Sequence, residues 1–484
     1  MKRLLWMGVS AGLMLPVCAQ VTNAVAATNG GHVTSAAEGT KPVAVVEGTK
    51  PNPKKLSADG GADLRVRQEV LRNMPKAGGV VNPTQNYIRY RPRVWGAVQN
   101  EDFKLYMRVA DEMRSYTTPH VPNSQWPDEA FLDNLYLDLY KLFNDRVDLR
   151  IGRQDFVGPN GPTYGAGRVI MDGTPLDGSR SIFMDAVRAT IKLDDKNALD
   201  VLAIYDSPRN PFVVGSSEPY GYYDRPLIDP KNSESEWGGG LYFKSKEFKE
   251  VPYELYYLYK CETKSVTART CGTSLAEDGR DTHTLGARVV PQLTETVSAE
   301  VEAAAQAGQK DSGPSTSGYM GYAGLTYQPL LTCKAKPYLT GACYYLSGDD
   351  GQGAGQKDSA WDPLWSRWPQ FSELYAYNTI YGAGYWSNLI YPHVDAGVNF
   401  APGYKVSSSL GPMYTAVEDN LGGGDGNLRG WLGMIRYDFP LAKNLFGKRG
   451  ELFGHVTAEM MDPGDYYVSD KLAYFLRWEV TAKF

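Results

Sequence analysis

The stretch that ends the chain constrains the fold most, because two kinds of side chain alternate along it without a break. One set comprises Tyr474, Leu476, Trp478, Val480, Ala482 and Phe484; the other comprises Phe475, Arg477, Glu479, Thr481 and Lys483. Successive side chains of a β-strand point to opposite faces, so this pattern predicts an extended segment with one apolar face. We therefore predict a final β-strand that runs to Phe484.

The same period of two returns along most of the chain from Asn86 onward. Clear examples are 103–110, 134–140, 147–152, 199–206 and 297–304. In each of them apolar residues occupy one face and mostly polar residues the other, whereas runs that are apolar on both faces are scarce. We place roughly seventeen such segments between Asn86 and Phe484. The predicted fold class is therefore all-β, built from strands with one apolar face.

The composition excludes several other classes of protein. The mean hydropathy of -0.39 is too low for a bundle of membrane helices. An aromatic share of 12% is too high for a chain that is disordered throughout. Lys+Arg 50 against Asp+Glu 55 leaves no basic excess for a general nucleic-acid binder. Beyond the start of the chain, no stretch supplies the ~20 consecutive apolar residues of a membrane helix.

Residues 1–19 have the organisation of a secretory signal peptide. The basic pair Lys2-Arg3 is followed by an apolar stretch to Pro16, and Val17-Cys18-Ala19 supplies small residues for cleavage. A lipoprotein signal that ends at Cys18 is the alternative. We expect cleavage after Ala19 and export of the mature chain.

An exported chain with no membrane helix and a terminal amphipathic strand fits a bacterial outer-membrane barrel better than a soluble β-sandwich. A final amphipathic strand that ends in Phe is typical of such barrels, and closure pairs every backbone polar group inside the membrane. Single-chain bacterial barrels have even strand numbers, so we predict one antiparallel transmembrane β-barrel of eighteen strands, with sixteen as the alternative. Residues 85–484 are assigned to it, and the bacterial outer membrane is the expected location.

Residues 20–84 are assigned to a periplasmic tail. Ala, Gly, Thr, Val and Lys dominate 20–60, a composition that buries little and favours disorder. Within 62–74, Leu64, Val70 and Leu71 share one face of a helix, so a short helix is predicted there. It is either a solvated linker or a docking element for a periplasmic partner.

The connections between the predicted strands fall into two groups. Short polar joins at 144–146 and 194–197 are predicted as periplasmic turns. Longer stretches rich in Gly and Pro are predicted as extracellular loops, at 155–180, 207–236, 261–282 and 347–385.

Four cysteines follow the signal peptide, in two pairs of equal spacing. Cys261 and Cys271 bracket a polar stretch that can fold back, so we predict a disulfide between them. Cys343 lies in a predicted strand, where ten extended residues would hold it roughly 30 Å from Cys333, too far for a second disulfide. Neither pair has the spacing of a zinc site, and no metal or cofactor is expected.

Charged residues indicate which strand faces line the barrel interior. Lipid penalises an arginine at mid-membrane by roughly 2 to 4 kcal/mol, so Arg89, Arg91 and Arg93, which share a face, are predicted to face the lumen. The same reasoning places further cations there: Arg108, Arg150, Arg188, Lys192, Arg288, Arg436 and Arg477. The guanidinium fork suits carboxylate and phosphate, so such a lumen favours acidic solutes. Acidic residues take inward positions too, which leaves structural pairing as the alternative role for each arginine.

Several motifs resemble the alginate export family of outer-membrane barrels. They are Leu149-Arg150-Ile151-Gly152-Arg153-Gln154, Tyr164-Gly165-Ala166-Gly167-Arg168, Asp172-Gly173-Thr174-Pro175-Leu176-Asp177-Gly178-Ser179-Arg180, Asp185-Ala186-Val187-Arg188, Trp361-Asp362-Pro363-Leu364-Trp365 and Ser372-Glu373-Leu374-Tyr375. The resemblance implies an eighteen-stranded barrel with an electropositive constriction through which polyuronate leaves the cell. By position in the motifs, it makes Arg153, Arg168, Arg180 and Arg188 candidates for that constriction.

These observations predict a channel and not an enzyme. The expected solutes are anionic polysaccharide or related anionic and polar molecules; a general diffusion porin for small polar nutrients is the alternative, and an outer-membrane hydrolase is a further one. The hint of catalysis is that His393 and Asp395 share a strand face, but no nucleophile accompanies them in a recognisable motif. The expected partners are carbohydrate, outer-membrane lipid and, through the tail, a periplasmic protein. We expect a monomer and no binding of nucleic acid.

Overall fold

A computed structural model describes residues 55–75, 84–118, 130–156, 164–170, 184–206, 213–214, 236–263, 279–330, 335–349, 357–366, 371–380, 386–419, 421–445 and 450–484. The predicted signal peptide and residues 20–54 of the predicted tail lie outside these ranges. The described residues belong to the unit Lys54–Phe484.

Eighteen strands, numbered β1 to β18 along the chain, cross the described structure. Their bounds are Ser57–Arg72 (β1), Gln85–Gln99 (β2), Phe103–Asp111 with Met113–Thr118 (β3), Ala130–Lys141 (β4), Val147–Gln154 (β5), Met184–Lys192 (β6), Asn197–Asp206 (β7), Glu236–Ser245 (β8), Tyr253–Glu262 (β9), Arg280–Val289 (β10), Val297–Lys310 (β11), Ser315–Tyr327 (β12), Lys336–Leu346 (β13), Leu389–Ala401 (β14), Tyr404–Tyr414 (β15), Leu428–Leu445 (β16), Gly450–Pro463 (β17) and Ala473–Lys483 (β18). The two parts of β3 are one strand interrupted at Glu112, because both pair with β2.

The strands pair antiparallel with their neighbours, and β1 closes the circle by pairing with both β2 and β18. Arg67 of β1 stands opposite Arg89 of β2 and opposite Glu479 of β18. Closure leaves no free sheet edge, which the membrane interior requires. The predicted antiparallel barrel of eighteen strands is confirmed, and the alternative of sixteen is excluded.

The barrel begins earlier than predicted, because β1 occupies residues assigned to the tail. The predicted short helix within 62–74 is wrong: Ser57–Arg72 is extended and its side chains alternate between two faces. Leu64 is 43% exposed on the outward face, whereas Arg65 and Arg67 are buried on the inward one. Both edges of β1 are hydrogen-bonded to neighbouring strands, and a helix at this position would leave the edges of β2 and β18 unpaired.

Outward and inward side chains differ in kind along the strands. In β9, Leu255 and Tyr257 are 48% and 41% exposed, whereas the alternate residues Tyr256 and Leu258 are buried. Comparable outward residues occur around the barrel, including Leu105, Leu135, Leu241, Leu285, Leu325, Leu410 and Leu476. An apolar outer band of this kind faces lipid, so the alternate residues face the lumen.

Short turns join the strands at one end of the barrel. Three of them are closed by a side chain that accepts backbone N–H groups: Asn100 from Asp102 and Phe103, Asp194 from Lys196 and Asn197, and Thr294 from Thr296 and Val297. Such side chains mimic a backbone turn. The side-chain amide of Asn197 and the backbone N–H of Lys196 hold the pKa of Asp194 below its usual value. A further turn, Leu142–Asp145, joins β4 to β5 at this end, which we assign to the periplasm.

Longer connections join the strands at the other end, which is therefore the extracellular one. Those after β5, β7, β9 and β13 fall where the loops were expected from sequence. They carry three small elements: a 3-10 turn at Gly165–Gly167, a short strand at Val213–Val214 that pairs with β4, and helix α1 at Glu373–Ile380. In the described part of the chain, no helix is long and apolar enough to cross a membrane.

The main hydrophobic core lies inside the barrel. Tyr164 from the β5–β6 connection, and Trp361, Trp365 and Leu374 from the β13–β14 connection, are buried in it. The same cluster includes inward residues of distant strands, among them Leu258, Leu389, Met413, Leu432, Met461 and Phe475. Burial of each large apolar side chain contributes roughly 1.5 to 3 kcal/mol, which holds the two connections within the lumen.

The described cysteines are both free. Cys261 ends β9 on its outward face as a free thiol, and its predicted disulfide partner Cys271 lies outside the described residues. The structure therefore gives no support to the predicted disulfide. Cys343 is a free thiol within β13, in agreement with its predicted place in a strand, whereas Cys333 lies outside the described residues.

Candidate functional site

Six arginines line one side of the lumen on three adjacent strands. They are Arg65 and Arg67 of β1, Arg89, Arg91 and Arg93 of β2, and Arg477 of β18, and we call them the arginine wall. In the strand register Arg65 stands opposite Arg91, and Arg67 opposite Arg89. The alternate residues of these strands point to lipid, so the six guanidinium groups share the lumen side. Three of the arginines predicted to face the lumen together, those of β2, therefore do so.

Glu69 of β1 is at the centre of the ion pairs in this wall. Its carboxylate is 3.0 Å from Nε of Arg67, 3.0 Å from Nη1 of Arg89 and 2.5 Å from Nη2 of Arg477. The Glu69 side chain is fully buried. Three guanidinium groups therefore share this one buried carboxylate.

Further carboxylates reach the wall from its own strands and from elsewhere. Asp63 of β1 binds Arg93, Glu479 of β18 lies 3.5 Å from Arg67, Glu112 at the interruption of β3 lies 2.5 Å from Arg89, and Glu373 of α1 lies 3.0 Å from Arg477. Together with Asp59, farther along the same face of β1, Asp63, Glu69 and Glu479 are the carboxylates that the three wall strands supply against six arginines. Glu373 differs from the others because an extracellular connection carries it.

Arg91 is the member of the wall with the least engaged guanidinium. Its Nη2 is 3.9 Å from Oδ1 of Asp63, and Asp63 already accepts hydrogen bonds from Nε of Arg93 at 2.9 and 3.1 Å. Among the described residues, Nε of Arg91 has no hydrogen-bond partner. Its cross-strand neighbour on β1 is another cation, Arg65. Arg91 therefore keeps donor capacity for an anion.

Three other predicted arginines lie on inward faces, and two of them are paired. The partners are Asp133 and Asp155 for Arg108, at 2.5 and 2.9 Å, and Asp138 for Arg150, at 2.6 Å. Arg188 of β6 stands opposite Arg150 in the register. For Arg108 and Arg150 the geometry favours the structural pairing that the sequence left open.

Arg153 does not lie on the lumen side. It is on the opposite face of β5 from Arg150 and shares that face with Ile151, which is 42% exposed. Its guanidinium binds Asp185 of β6 at 2.9 and 3.0 Å, and Asp185 stands opposite the exposed Tyr205. The structure therefore gives no support to Arg153 as a lumen-lining residue: strand alternation places it on the outward face, where its side chain is 4% exposed and paired with Asp185.

Arg168 reaches the interior from the β5–β6 connection and binds residues of strand β11. Its Nη1 is 2.7 Å from Glu300 and 2.7 Å from Glu302, both on β11. The guanidinium carbon lies 3.6 Å from the ring centre of Tyr322. Glu300 also pairs with Arg288, and the guanidinium of Arg168 is already held by two carboxylates, so this position does not favour a further anion. Arg180, the last arginine implied by the resemblance, lies outside the described residues.

A second charged surface faces the arginine wall across the lumen. Glu254 of β9 stands opposite Arg288 of β10, and Arg288 stands opposite Glu302 of β11. We call Glu254, Arg288, Glu300 and Glu302 the glutamate wall. Arg288 lies 3.1 Å from Glu254 and 2.9 Å from Glu300. In a barrel of eighteen strands, β10 is as far as a strand can be from β1, so the two walls are on opposite sides.

The two connections inside the barrel are hydrogen-bonded to the strands and to each other. Ser366 donates to the carbonyl oxygen of Gly167 at 2.5 Å, which joins the β13–β14 connection to the β5–β6 connection. Gln306 of β11 donates to the carbonyl of Asp362 and accepts from its N–H, both at 2.8 Å. These bonds fix both connections within the lumen between the walls.

His393 and Asp395 share the inward face of β14, but their surroundings do not form a catalytic site. Nδ1 of His393 is 3.1 Å from the carbonyl oxygen of Tyr391, and Nε2 is 3.5 Å from Asp395. The His393 ring stacks on Tyr391 with 4.5 Å between centroids. Within the described ranges, no Ser, Thr or Cys is hydrogen-bonded to the imidazole, and no group of metal-ligating side chains is close enough to hold an ion.

Two arginines of the wall, Arg65 and Arg67, lie on β1, whose residues are predicted from sequence to belong to the periplasmic tail and not to the barrel. Asp63, Arg65, Arg67 and Glu69 alternate with Leu64, Val66, Gln68 and Val70, and this period of two is the signal that identifies them. Glu373 has no comparable signal, because its contact with Arg477 joins an extracellular connection to the last strand.

The closed barrel, its apolar outer face and its charged lumen define an outer-membrane β-barrel channel. Among solved structures, the chain is similar to OpdK of Pseudomonas aeruginosa with vanillate, with a TM-score of 0.52, 10% identity and coverage of 88% of this chain and 98% of that chain. OpdL of the same organism gives a TM-score of 0.50 at 11% identity, over 88% and 98%. A second structure of the outer-membrane protein OpdK gives 0.50 at 9% identity, over 88% and 99%.

OpdK is an outer-membrane protein. At such low identity the likeness shows the fold alone. No known protein-family profile matches the chain. No curated protein is significantly similar to it in sequence. The finer expectation of an alginate export protein is therefore not supported, and the coarser class of outer-membrane channel stands.

Proposed function

We propose that this channel passes small anionic solutes, carboxylates above all, by diffusion through its lumen. Arg91 carries the proposal, because it lies on the lumen side, its side chain is 12% exposed, and its Nη2 is as far as 3.9 Å from the carboxylate of Asp63. A guanidinium binds a planar carboxylate through two parallel hydrogen bonds, so an arginine with spare donors is a suitable contact for such a solute.

The arrangement around Arg91 supports attraction of anions along the same side. Arg65 and Arg93 flank it on adjacent positions of the wall, and the wall strands supply four carboxylates against six arginines of the wall. Clustered charge in a lumen with low-dielectric walls raises the local concentration of the opposite ion. A ring or row of cationic side chains is a general means of anion selection in pores.

Two observations favour a small solute over a polysaccharide. The β5–β6 and β13–β14 connections lie inside the barrel and are hydrogen-bonded to each other through Ser366 and Gly167, which narrows the space for a polymer. The similar channel OpdK has been seen with vanillate, a small aromatic carboxylate. The monomer and the periplasmic partner remain predictions.

Planar-bilayer recording of the purified full-length protein tests the proposal. In a KCl gradient, the reversal potential gives the permeability ratio of Cl⁻ to K⁺, which we expect to favour Cl⁻. Arg91→Ala should lower that ratio about twofold, because it removes an anion contact from the wall. Vanillate in the bath should reduce the chloride current of the wild type more than that of Arg91→Ala.

The matched control is Arg146→Ala, which removes an arginine from the exposed turn after β4 and should leave the ratio unchanged. Cation selectivity of the wild type, or equal ratios for the wild type and Arg91→Ala, would contradict the proposal. Equal permeation of neutral sugars and anions would identify a general diffusion porin instead.

A further inference from the structure

Helix α1 is docked inside the barrel by its first turn. The carboxylate of Glu459 on β17 accepts hydrogen bonds from the Ser372 hydroxyl at 2.5 Å, the Leu374 N–H at 3.0 Å and the Glu373 N–H at 3.2 Å. The Ser372 hydroxyl also caps the helix by accepting the N–H of Tyr375 at 2.9 Å. A buried carboxylate that receives three donors holds this turn firmly against the barrel.

Side chains of the same turn reach the two strands beside β17. Glu373 lies 3.0 Å from Arg477 of β18, and the Tyr375 hydroxyl is hydrogen-bonded to Arg429 of β16. Three consecutive strands therefore position the helix. The result is that the Glu373 carboxylate is held at the edge of the arginine wall.

Glu373 is unlike the carboxylates that belong to the wall strands. Glu69 also binds Arg477, at 2.5 Å, and the side chains of Glu69 and Arg477 are both fully buried, whereas that of Glu373 is 13% exposed. The Glu373 backbone is fixed through Glu459, so rotation of its side chain alone withdraws the carboxylate from Arg477. Arg477 keeps Glu69 as a partner when this happens, and no buried charge is left without a counter-ion.

We propose that Glu373 is a resident counter-anion of the channel, which a permeating carboxylate replaces at Arg477. This inference rests on the proposed function and adds a specificity-determining residue to it. Exchange of one carboxylate for another conserves the ion pair, so its free-energy change is small and the exchange is reversible. The protein carboxylate competes with the solute and thereby weakens apparent solute binding in the resting channel.

The test compares Glu373→Gln with the wild type in planar bilayers. Glutamine keeps the size of the side chain and removes the charge, so the ratio of Cl⁻ to K⁺ permeability should rise about twofold. Half-maximal block of the chloride current by vanillate should need about threefold less vanillate, because the competitor is gone. Glu373→Asp, which keeps the charge on a shorter side chain, should lie between the two.

Two further variants separate this role from a purely structural one. Glu247→Gln removes the same charge from an exposed periplasmic turn and should change neither quantity. Ser372→Ala weakens the docking of α1 without a change of charge and should shift vanillate block in the same direction as Glu373→Gln, by a smaller factor. Heat-modifiable mobility on SDS gels establishes that each barrel is folded.

The outcomes distinguish this inference from the proposed function. If Arg91→Ala lowers anion selectivity while Glu373→Gln and Ser372→Ala alter neither selectivity nor block, Glu373 is not a competing anion and the channel function stands. If the wild type is not anion-selective, the proposed function fails, and the inference fails with it. A lower Cl⁻ to K⁺ ratio in Glu373→Gln would also overturn the inference.

Discussion

The arginine wall and the glutamate wall are similar in arrangement and opposite in the sign of their charge. Both are rows of charged residues in cross-strand register: the inward faces of β1, β2 and β18 carry more cations than carboxylates, whereas the glutamate wall itself carries three carboxylates and one guanidinium. An extracellular connection offsets part of each excess: Glu373 pairs with Arg477, and Arg168 pairs with Glu300 and Glu302. The strands thus set the sign of each side, and the connections reduce its magnitude.

This division of roles separates stability from selectivity. A strand charge such as Glu69 is buried among several partners, so its loss leaves guanidinium groups without a counter-ion in a low-dielectric interior. A connection charge such as Glu373 pairs with Arg477, which keeps Glu69 as a partner when Glu373 is lost. Removal of Glu373 should therefore change the field in the lumen more than the free energy of unfolding, whereas removal of Arg168 also takes away the ion-pair partner of the buried Glu302.

The largest expected effect is that of Glu69→Gln in the arginine wall. Three arginines lose the carboxylate they share, and we expect the free energy of unfolding to fall by about 3 to 5 kcal/mol. Urea unfolding of the vesicle-embedded protein, followed by tryptophan fluorescence, measures the change. Glu101→Gln removes a carboxylate that is 72% exposed and serves as the control, with an expected change near zero. Equal destabilisation by both variants would contradict the central role of Glu69.

The second largest expected effect is that of Arg168→Gln, which removes the partner of Glu300 and Glu302 of the glutamate wall. Glu300 and Glu302 lose the connection cation, so the lumen becomes more negative and the ratio of Cl⁻ to K⁺ permeability should fall about threefold. Reversal potentials in a KCl gradient measure it. Arg153→Gln removes an arginine of the outward face and should leave the ratio as in the wild type. A ratio unchanged in Arg168→Gln would mean that the glutamate wall does not act on permeating ions.

Much of this comparison follows from strand alternation, which depends on neighbouring residues alone. The penalty for arginine in lipid assigns Arg89, Arg91 and Arg93 to the lumen, and the structure agrees. The same rule assigns Arg150 and Arg153 to opposite faces, since their positions along the strand differ by three. The motif resemblance implies that Arg153 lines the lumen, whereas strand alternation predicts the outward face. The structure agrees with strand alternation, because Arg153 stands opposite the outward residue Leu135.

The remaining features depend on contacts between distant parts of the chain. Leu64, Val70 and Leu71 also fit a helix, and what makes this segment a strand is the need to join β2 to β18 and close the barrel. The partners Glu373–Arg477 and Arg168–Glu302 join connections to strands far away in sequence. No local period records such pairs, because they arise when the connections fold into the lumen around apolar residues such as Trp361.

The smallest expected effect is that of ionic strength. It distinguishes long-range electrostatic attraction of ions in the lumen from direct hydrogen bonds between solutes and single arginines. The Debye length falls from ~30 Å at 0.01 M salt to ~3 Å at 1 M, so salt screens charges that act across an aqueous lumen. The selectivity changes caused by Arg91→Ala and Arg168→Gln should therefore shrink as KCl is raised, whereas the destabilisation by Glu69→Gln should persist because its partners are buried. Reversal potentials and unfolding curves at both salt concentrations provide the measurement. Selectivity changes that stay the same in concentrated KCl would mean that solutes respond to direct hydrogen bonds with single arginines, and the contrast between the two walls would then concern the stability of the barrel more than permeation.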